Sequence, residues 1–470
     1  MSELPTHYDE VAYPSGTFFA TAPEHLAALA RMHGLTAPAP ETARVLEIAG
    51  GDGANLIAMA AAWPHAQFHV FDLAKTAIAN GVKLAAEAGL DNIRITVDDV
   101  LRAAETLDGP FDYIIAHGLY AWVPEPVREA TLRLMGKVLS PDGIAFLSYN
   151  ANPGGHMRTA IREMLLHRLC GIVEPAKRIA AAREVLGDFA IARENDPTVL
   201  VGMRAVAAPM LEKSDAVLFH DELGEVYAPQ SLCDVVAAAE RHGLAFLNDA
   251  NPSMVHDGLP GDNVAEQDVV AIAQADDYAV LAFFHQTLLI RPGREPRRGV
   301  GAGALAGIYA STRVKRTGPG AFALDGQDVE MDDDNMAELL GHLVDIAPQR
   351  LLLDEIDLSA DNCVAIVQLY QRGVIWLYAV QSACCLEPGE FVRASRLART
   401  QLARGLATVH TLELRSIGFV EPGPRAFVAL LDGTRDRAAL ARDWANSGHG
   451  DEVTVDIALA QLASAGMISG

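Results

Sequence analysis

The residues with the most chemical promise begin in the stretch VLEIAGGDGAN at positions 45–55, where a hydrophobic run carries an acid, Glu47, and breaks into a glycine turn. Gly51 and Gly53 can take positive φ and let a backbone approach a ligand closely. A dinucleotide fold would use GxGxxG spacing, with helix N-terminal amides on a pyrophosphate. Here Ala54, Asn55 and Leu56 follow Gly53, and that spacing is not met. Glu47 and Asp52 suit a cationic ligand better than a diphosphate, although a tight structural turn would use the same glycines. Acids recur at the ends of the next two strand-like runs. FHVFD ends at Asp72, where a carboxylate can accept both hydroxyls of a ribose. The following run ends in Asp98 and Asp99, and Asp99 would lie near an adenine amino group. Each acid alone reads as a helix cap or a loop charge. Three at three successive strand ends are harder to attribute to capping.

Positioning these acids together requires strands that end on one side of a sheet. Strand candidates are Arg44–Ala49, Gln67–Asp72, Asn92–Val97, Phe111–Ala116 and Ile144–Tyr149, separated by helical stretches near Ala54–Trp63, Ala74–Glu87 and Glu125–Leu139. Such alternation predicts a parallel sheet with right-handed crossovers and helices on both faces. Ligands of such sheets bind beyond the carboxyl ends of the strands, beside the topological switch point. His117 and Tyr120 follow the fourth strand and Asn150 follows the fifth. His117 is a candidate to orient or deprotonate an acceptor, with a turn histidine tied to backbone as the equal alternative. Tyr120 and Asn150 could hydrogen-bond an incoming amine, whereas Trp122 reads as packing.

Beyond the fifth strand, residues 156–211 have apolar positions at helical spacing. VLFHDEL, a helical Pro229–His242 and GLAFLND then return toward the sheet, leaving the intervening helices as an insertion over its carboxyl edge, a natural substrate lid. Residues 291–316 mix Arg, Gly and Pro as a linker or loop does. Asp328, Glu330, Asp332, Asp333 and Asp334 crowd together without the ligand ladder and central glycine of a calcium loop, and read as a solvated turn. From Phe427 onward a small helical domain is expected.

Of 470 residues, 37 are Lys or Arg and 61 Asp or Glu, a net charge of −24. That surface repels phosphate backbones, so neither nucleic-acid binding nor membrane insertion is expected. It favours cationic partners such as lysine-bearing polypeptides, or simply maintains solubility. The five cysteines (Cys170, Cys233, Cys363, Cys384 and Cys385) form no CxxC pair, and no metal site is expected. Adjacent Cys384 and Cys385 read as buried thiols. A reducing, cytoplasmic location fits, with no secretory signal at the acidic N-terminus and no apolar run of membrane-spanning length.

The glycine turn with Glu47, Asp72 and Asp99 resembles class I S-adenosylmethionine-dependent methyltransferases more than nicotinamide enzymes. The resemblance narrows with YDEVAYPS (8–15), FDYIIAHGLYAWVP (111–124) and SYNANPGGHMR (148–158). These are similar to bacterial methyltransferases with a methyltransferase regulatory domain, which include the rickettsial-type protein-lysine methyltransferases. LFHDEL (218–223) and LLDGTRDRAAL (430–440) extend the match. It implies an α/β, Rossmann-like class I methyltransferase core with a mostly parallel seven-stranded sheet over residues 1–250, carrying a helical insertion at about 156–215. A middle, regulatory domain (251–420) and a winged-helix-like C-terminal domain (421–470) would follow. The implied cofactor is S-adenosylmethionine, held by Tyr8, Tyr13, Glu47, Gly51, Gly53, Asn55, Asp72 and Asp99. His117, Tyr120 and Asn150 would serve the acceptor, a lysine of a protein or peptide substrate. The alternatives are a small-molecule or peptide methyltransferase, or a cofactor-binding regulator with little turnover. Tyr8 and Tyr13 would close over the cofactor, where an aromatic face can stabilise its sulfonium.

Two positions depart from the family pattern LELGCGDGGN. Ala49 replaces its first glycine and Gly50 its cysteine, and alanine tolerates positive φ poorly. Gly155 stands where the family carries an aromatic residue in an expected substrate-facing loop.

Overall fold

The computed structural model describes residues 11, 13–14, 16–254, 268–331, 333–385, 387–450 and 454–469. Tyr8 and Asp332 therefore lie outside the described residues. Seven strands, β1 (Arg44–Ile48), β2 (Gln67–Asp72), β3 (Ile93–Val97), β4 (Phe111–Ala116), β5 (Leu139–Asn150), β6 (Ala245–Asp249) and β7 (Phe284–Ile290), form one sheet in the order 3-2-1-4-5-7-6. The first five are parallel, and β7 runs antiparallel to both β5 and β6. β1 pairs with β2 on one side and β4 on the other, so the switch point lies between β1 and β4.

Helix α1 (Pro23–Met32) precedes the sheet, and α2 (Ala54–Ala62), α3 (Lys75–Glu87), α4 (Val100–Thr106) and α5 (Glu125–Val138) are its crossovers. Successive strand residues point to opposite faces and enter different apolar layers. Val45, Val70 and Tyr113 join Leu56, Ile57 and Met59 of α2 on one face. Leu46, Phe71 and Ile114 join Leu134 and Met135 of α5 on the other. Burial on both faces is why these strands read as nearly continuous hydrophobic runs.

Four helices, α6 (Gly154–Arg168), α7 (Pro175–Ala190), α8 (Thr198–Leu211) and α9 (Asp215–Leu223), form the insertion around a core including Ile161, Leu165, Leu186 and Leu218. Helix α10 (Leu232–Glu240) leads to β6, and α11 (Val269–Val280) to β7. The break expected at residue 250 is thus one strand too early, because β7 completes the sheet from 284–290. The expected boundary at 421 is too late. Val392, Ala394, Ala398, Leu402 and Val409 share one apolar cluster with Phe427, Trp444 and Leu459 of the terminal helices. Between these units, a three-stranded sheet (309–312, 351–352, 375–378) with helices Asp334–Ile346 and Ala360–Gln371 packs its core onto α1. Asp333, expected in a solvated turn, caps the first of these helices by accepting from the Asn335 amide at 2.7 Å. No helix among the described residues is long and apolar enough to cross a membrane.

The last two strands are locked by His285, which is fully buried between Asp249 on β6 (Nδ1 at 2.8 Å) and Asp277 on α11 (Nε2 at 3.0 Å). Burial opposes the imidazolium, but hydrogen bonds and charge from the two aspartates outweigh it and raise His285 to about 9. A raised folded-state pKa stabilises fully below the unfolded value near 6.5 and is lost as pH rises through about 9. Denaturant titrations should therefore show His285-dependent stability of about 3 kcal/mol disappearing between pH 6.5 and 9. His285→Gln should flatten that slope.

Candidate active site

The glycine turn after β1 keeps its left-handed geometry despite the alanine. Ala49, Gly51 and Gly53 have φ of 57°, 60° and 77°. Gly50 needs no positive φ, yet a Cβ there would meet Val70 Cγ2 at 2.5 Å and Glu47 Cγ at 2.9 Å. A Cβ on Gly51 would meet nothing within 4 Å, and the same is true of Gly118 beyond β4. Open space therefore flanks the turn on both sides of the switch point.

Three expected acids stand at the carboxyl ends of β1, β2 and β3. Glu47 is 3% exposed; its Oε1 accepts from Asn55 Nδ2 at 2.9 Å, and its buried Oε2 has no partner among the described residues. Burial, joined by the charges of Asp52 and Asp72, raises Glu47 to about 8 against that hydrogen bond. Asp72 accepts from the Gly51 amide through Oδ2 (2.9 Å) and the Ala74 amide through Oδ1 (2.8 Å), leaving each oxygen further capacity. Asp99 is an N-cap, its Oδ1 accepting from the Leu101 amide at 2.8 Å while Oδ2 has no hydrogen-bond partner among the described residues. A cationic adenosine cofactor fits this donor set: an orphaned buried carboxylate oxygen, two half-satisfied acids and a turn open to a ligand.

Across the switch point, His117 shares a 2.9 Å hydrogen bond between Nδ1 and Ser148 Oγ, which also accepts from the Gly118 amide. Burial alone lowers His117 to about 4, so the imidazole is neutral at physiological pH. Its ring lies 4.1 Å from that of Phe18, a residue outside the sequence expectations. The Phe18 amide donates to Asn55 Oδ1 at 3.0 Å, and Asn55 Nδ2 donates to Thr21 Oγ1 at 3.1 Å. Phe18 therefore spans the crevice from the start of α2 to the end of β4. Aromatic residues at 18 and 19 ahead of the proline-initiated α1 were its only sequence signal.

The other expected residues fare differently. Tyr120 is 3% exposed, with its ring against Tyr149 in the apolar layer on the α5 face of the sheet. It begins the 3₁₀ turn Tyr120–Trp122, which strand-end spacing alone does not reveal. Asn150 ends β5 with its carbonyl bound to the Gln230 amide, and its side-chain amide makes no hydrogen bond among the described residues. Tyr13 is 46% exposed and sits on the insertion, hydrogen-bonded to Asp221 at 3.3 Å beside the His220 ring. Gly155 is no substrate-facing position either: a Cβ there would meet Pro229 Cβ at 2.5 Å, leaving no room for an aromatic side chain.

Toward the insertion, the Trp122 and Tyr227 rings lie 5.0 Å apart with Arg158 and Arg162 over both. Glu222, fully buried, pairs with Arg158 at 2.7 Å and with Lys213 at 2.8 Å, and Asp221 pairs with Lys213 at 2.7 Å. The two acids of LFHDEL are thus engaged in bracing the insertion.

Residues 45–143 match the family described as methyltransferase domain, and residues 214–291 match the predicted methyltransferase regulatory domain. The regulatory match thus covers α9 to β7, including two strands of the main sheet, and begins within the 1–250 segment, overlapping only the first part of the 251–420 segment expected to carry it. The uncharacterized protein RP028 of Rickettsia prowazekii is 35% identical over 241 residues, 51% of this chain and 96% of that protein. RP789 of the same organism is 34% identical over 288 residues, 60% of this chain and about half, 52%, of that protein. In fold, the chain is similar to PKMT2 from Rickettsia typhi in complex with AdoHcy, with a TM-score of 0.82 and 22% identity over 97% of this chain and 100% of that one.

The strained alanine and its neighbour make opposite predictions. Ala49→Gly should raise unfolding stability by about 1 kcal/mol by relieving the left-handed penalty. Gly50→Ala should lower it through the clash with Val70 and Glu47, and denaturation curves of the two variants should move in opposite directions.

Proposed function

The chain belongs to the S-adenosylmethionine-dependent methyltransferases that carry a methyltransferase regulatory domain, and from that membership we propose that it methylates lysine side chains of a polypeptide. The carrying observation is the arrangement at the switch point: three acids and a glycine turn on the β1–β3 side, facing neutral His117 and Phe18 across the crevice. In this reading Asp72 takes the ribose hydroxyls, and Asp99 uses its remaining oxygen for the adenine amino group. The Gly51–Gly53 turn admits the backbone close to the ligand, while Glu47, oriented by Asn55, receives the cationic amino-acid end. S-adenosylmethionine supplies an electrophilic methyl group, so the protein contributes chiefly positioning.

A lysine ammonium must first release its proton to water, which costs about 4–5 kcal/mol at pH 7 from a reference pKa near 10.4. A dry crevice beside a cation lowers that cost. His117, held near 4, is too weak a base to keep this proton and instead orients the neutral amine by hydrogen bonding. The sequence similarity to rickettsial-type protein-lysine methyltransferases and the net charge of −24 support a lysine-bearing acceptor.

Titration calorimetry with S-adenosylhomocysteine tests the cofactor residues. Asp72→Ala should weaken binding about 10- to 100-fold, the equivalent of one or two hydrogen bonds to a charged group. Because Glu47 sits near 8 and must ionise to meet a cation, wild-type affinity should rise from pH 6.5 to 8, and Glu47→Gln should remove that rise. For the acceptor, the protein is incubated with methyl-labelled cofactor and a cell lysate, and the labelled protein is hydrolysed. Label in methyl-lysine is the expected result; label confined to small molecules, or no label despite cofactor binding, would overturn a lysine acceptor.

A further inference from the structure

Residues 17–22 form a strap in front of the crevice; its first end is held by one loop of the C-terminal unit, Thr411–Arg415, and beyond its second end α1 is linked to the same loop through Arg350. At the first end, Thr17 Oγ1 donates to the Leu414 carbonyl at 2.9 Å and lies 3.4 Å from Ser416 Oγ. Leu414 has φ of 53°, inside a tight turn closed by the Thr411 amide donating to the Arg415 carbonyl and the Leu414 amide to that of Thr411. At the second end, the strap runs into α1, whose Glu24 is 2% exposed and 3.8 Å from the Arg350 guanidinium. Arg350, itself almost fully buried, pairs at 3.0 Å with Glu413, the residue beside Leu414. Between these two anchors the strap is hydrogen-bonded to Asn55 and buries Phe19 against Trp376 and Tyr378, while the Phe18 ring, 39% exposed, lies on His117.

We propose that Phe18 is the mobile wall of the methyl-transfer site and that the 411–415 loop sets its position, so that the C-terminal unit governs turnover without touching the acceptor. The inference rests on the methyltransferase reading above, since His117 matters to turnover only if acceptors reach it. Phe18 is the group that touches the reacting side; Thr17 and Glu413 are positioning residues that act through it. A ring at the junction of β1 and β4 can shield the neutral imidazole and offer its face to a cationic acceptor or cofactor. A ligand or partner that shifted the 411–415 loop would carry the ring away with Thr17, which is a discrete change in one hydrogen-bonded contact.

Two readouts test this in the full-length protein. In steady-state methylation, Thr17→Val should lower kcat about fivefold, the effect of losing one hydrogen bond, with S-adenosylhomocysteine affinity within about twofold of wild type. Thr17→Ser, which keeps the hydroxyl, should restore the rate. In an NMR titration between pH 5.5 and 7.5, wild-type His117 should stay neutral, because burial among the Phe18, Phe146 and Phe284 rings beside Ser148 disfavours the charged form. Phe18→Ala should bring its midpoint up into that window, and Thr17→Val should move it the same way by less. A Phe18→Ala variant with an unchanged His117 titration would overturn the placement of the ring. Thr17→Val behaving as wild type in both readouts, while Phe18→Ala alters them, would overturn control by the loop. If wild type methylates no acceptor, the functional reading fails by itself, and the His117 titrations still decide whether the loop holds the strap.

Discussion

Everything around the crevice depends on the hydrogen bond between Asn55 and the buried Glu47 carboxyl group. A carboxyl group at 3% exposure is costly in the absence of partners, and among the described residues only one of its oxygens has one. Asn55, the second residue of α2, uses the rest of its amide on the strap, accepting from the Phe18 amide and donating to Thr21. One side chain therefore fixes the end of β1, the start of α2 and the N-terminal segment relative to each other. The unsatisfied Glu47 oxygen marks where local packing has been sacrificed, which is where a ligand of opposite charge has the most to contribute.

The sheet was legible because its strands are buried on both faces. Runs such as RVLEI and FDYIIA leave no other low-cost conformation, and their ends put Glu47, Asp72 and Asp99 at one edge. Asp99 shows that capping and ligand reading need not compete, since one oxygen caps α4 and the other has no protein partner among the described residues. What escaped was set by contacts remote in sequence. The bond from Phe18 to Asn55 spans 37 residues and that from Thr17 to Leu414 spans 397, and no periodicity carries either. The final strand β7 was hidden because it arrives only after α11, in a segment whose pattern had become irregular.

The acidic motif at 218–223 illustrates the limit of reading charge from composition. Asp221 and Glu222 sound like ligands for a cation, and they are, but the cations are Arg158 and Lys213 of the same chain. Arg158 and Arg162 in turn cover the faces of Trp122 and Tyr227. A buried network of this kind orders the insertion at the expense of ligand-binding capacity, because each charge desolvated there needs its internal partner. The net charge of −24 therefore overstates what the crevice itself can offer, and the attraction for a cation concentrates in Glu47 and its neighbours.

The same reasoning accounts for the length of the chain. The sheet and its crossover helices complete a cofactor fold by residue 290, yet the segment in front of that fold is held by groups more than a hundred residues further on. Arg350 stacks on Tyr378 at 3.5 Å while bridging toward Glu24 and pairing with Glu413, so α1, the middle unit and the C-terminal loop meet at one buried cation. Removing any one partner would strand charge in an apolar surround, which makes this junction cooperative. A crevice closed by its own sheet would need no such junction. Here the wall beside His117 belongs to a strap whose anchors lie in the rest of the chain, so the geometry of the crevice is tied to how those units pack.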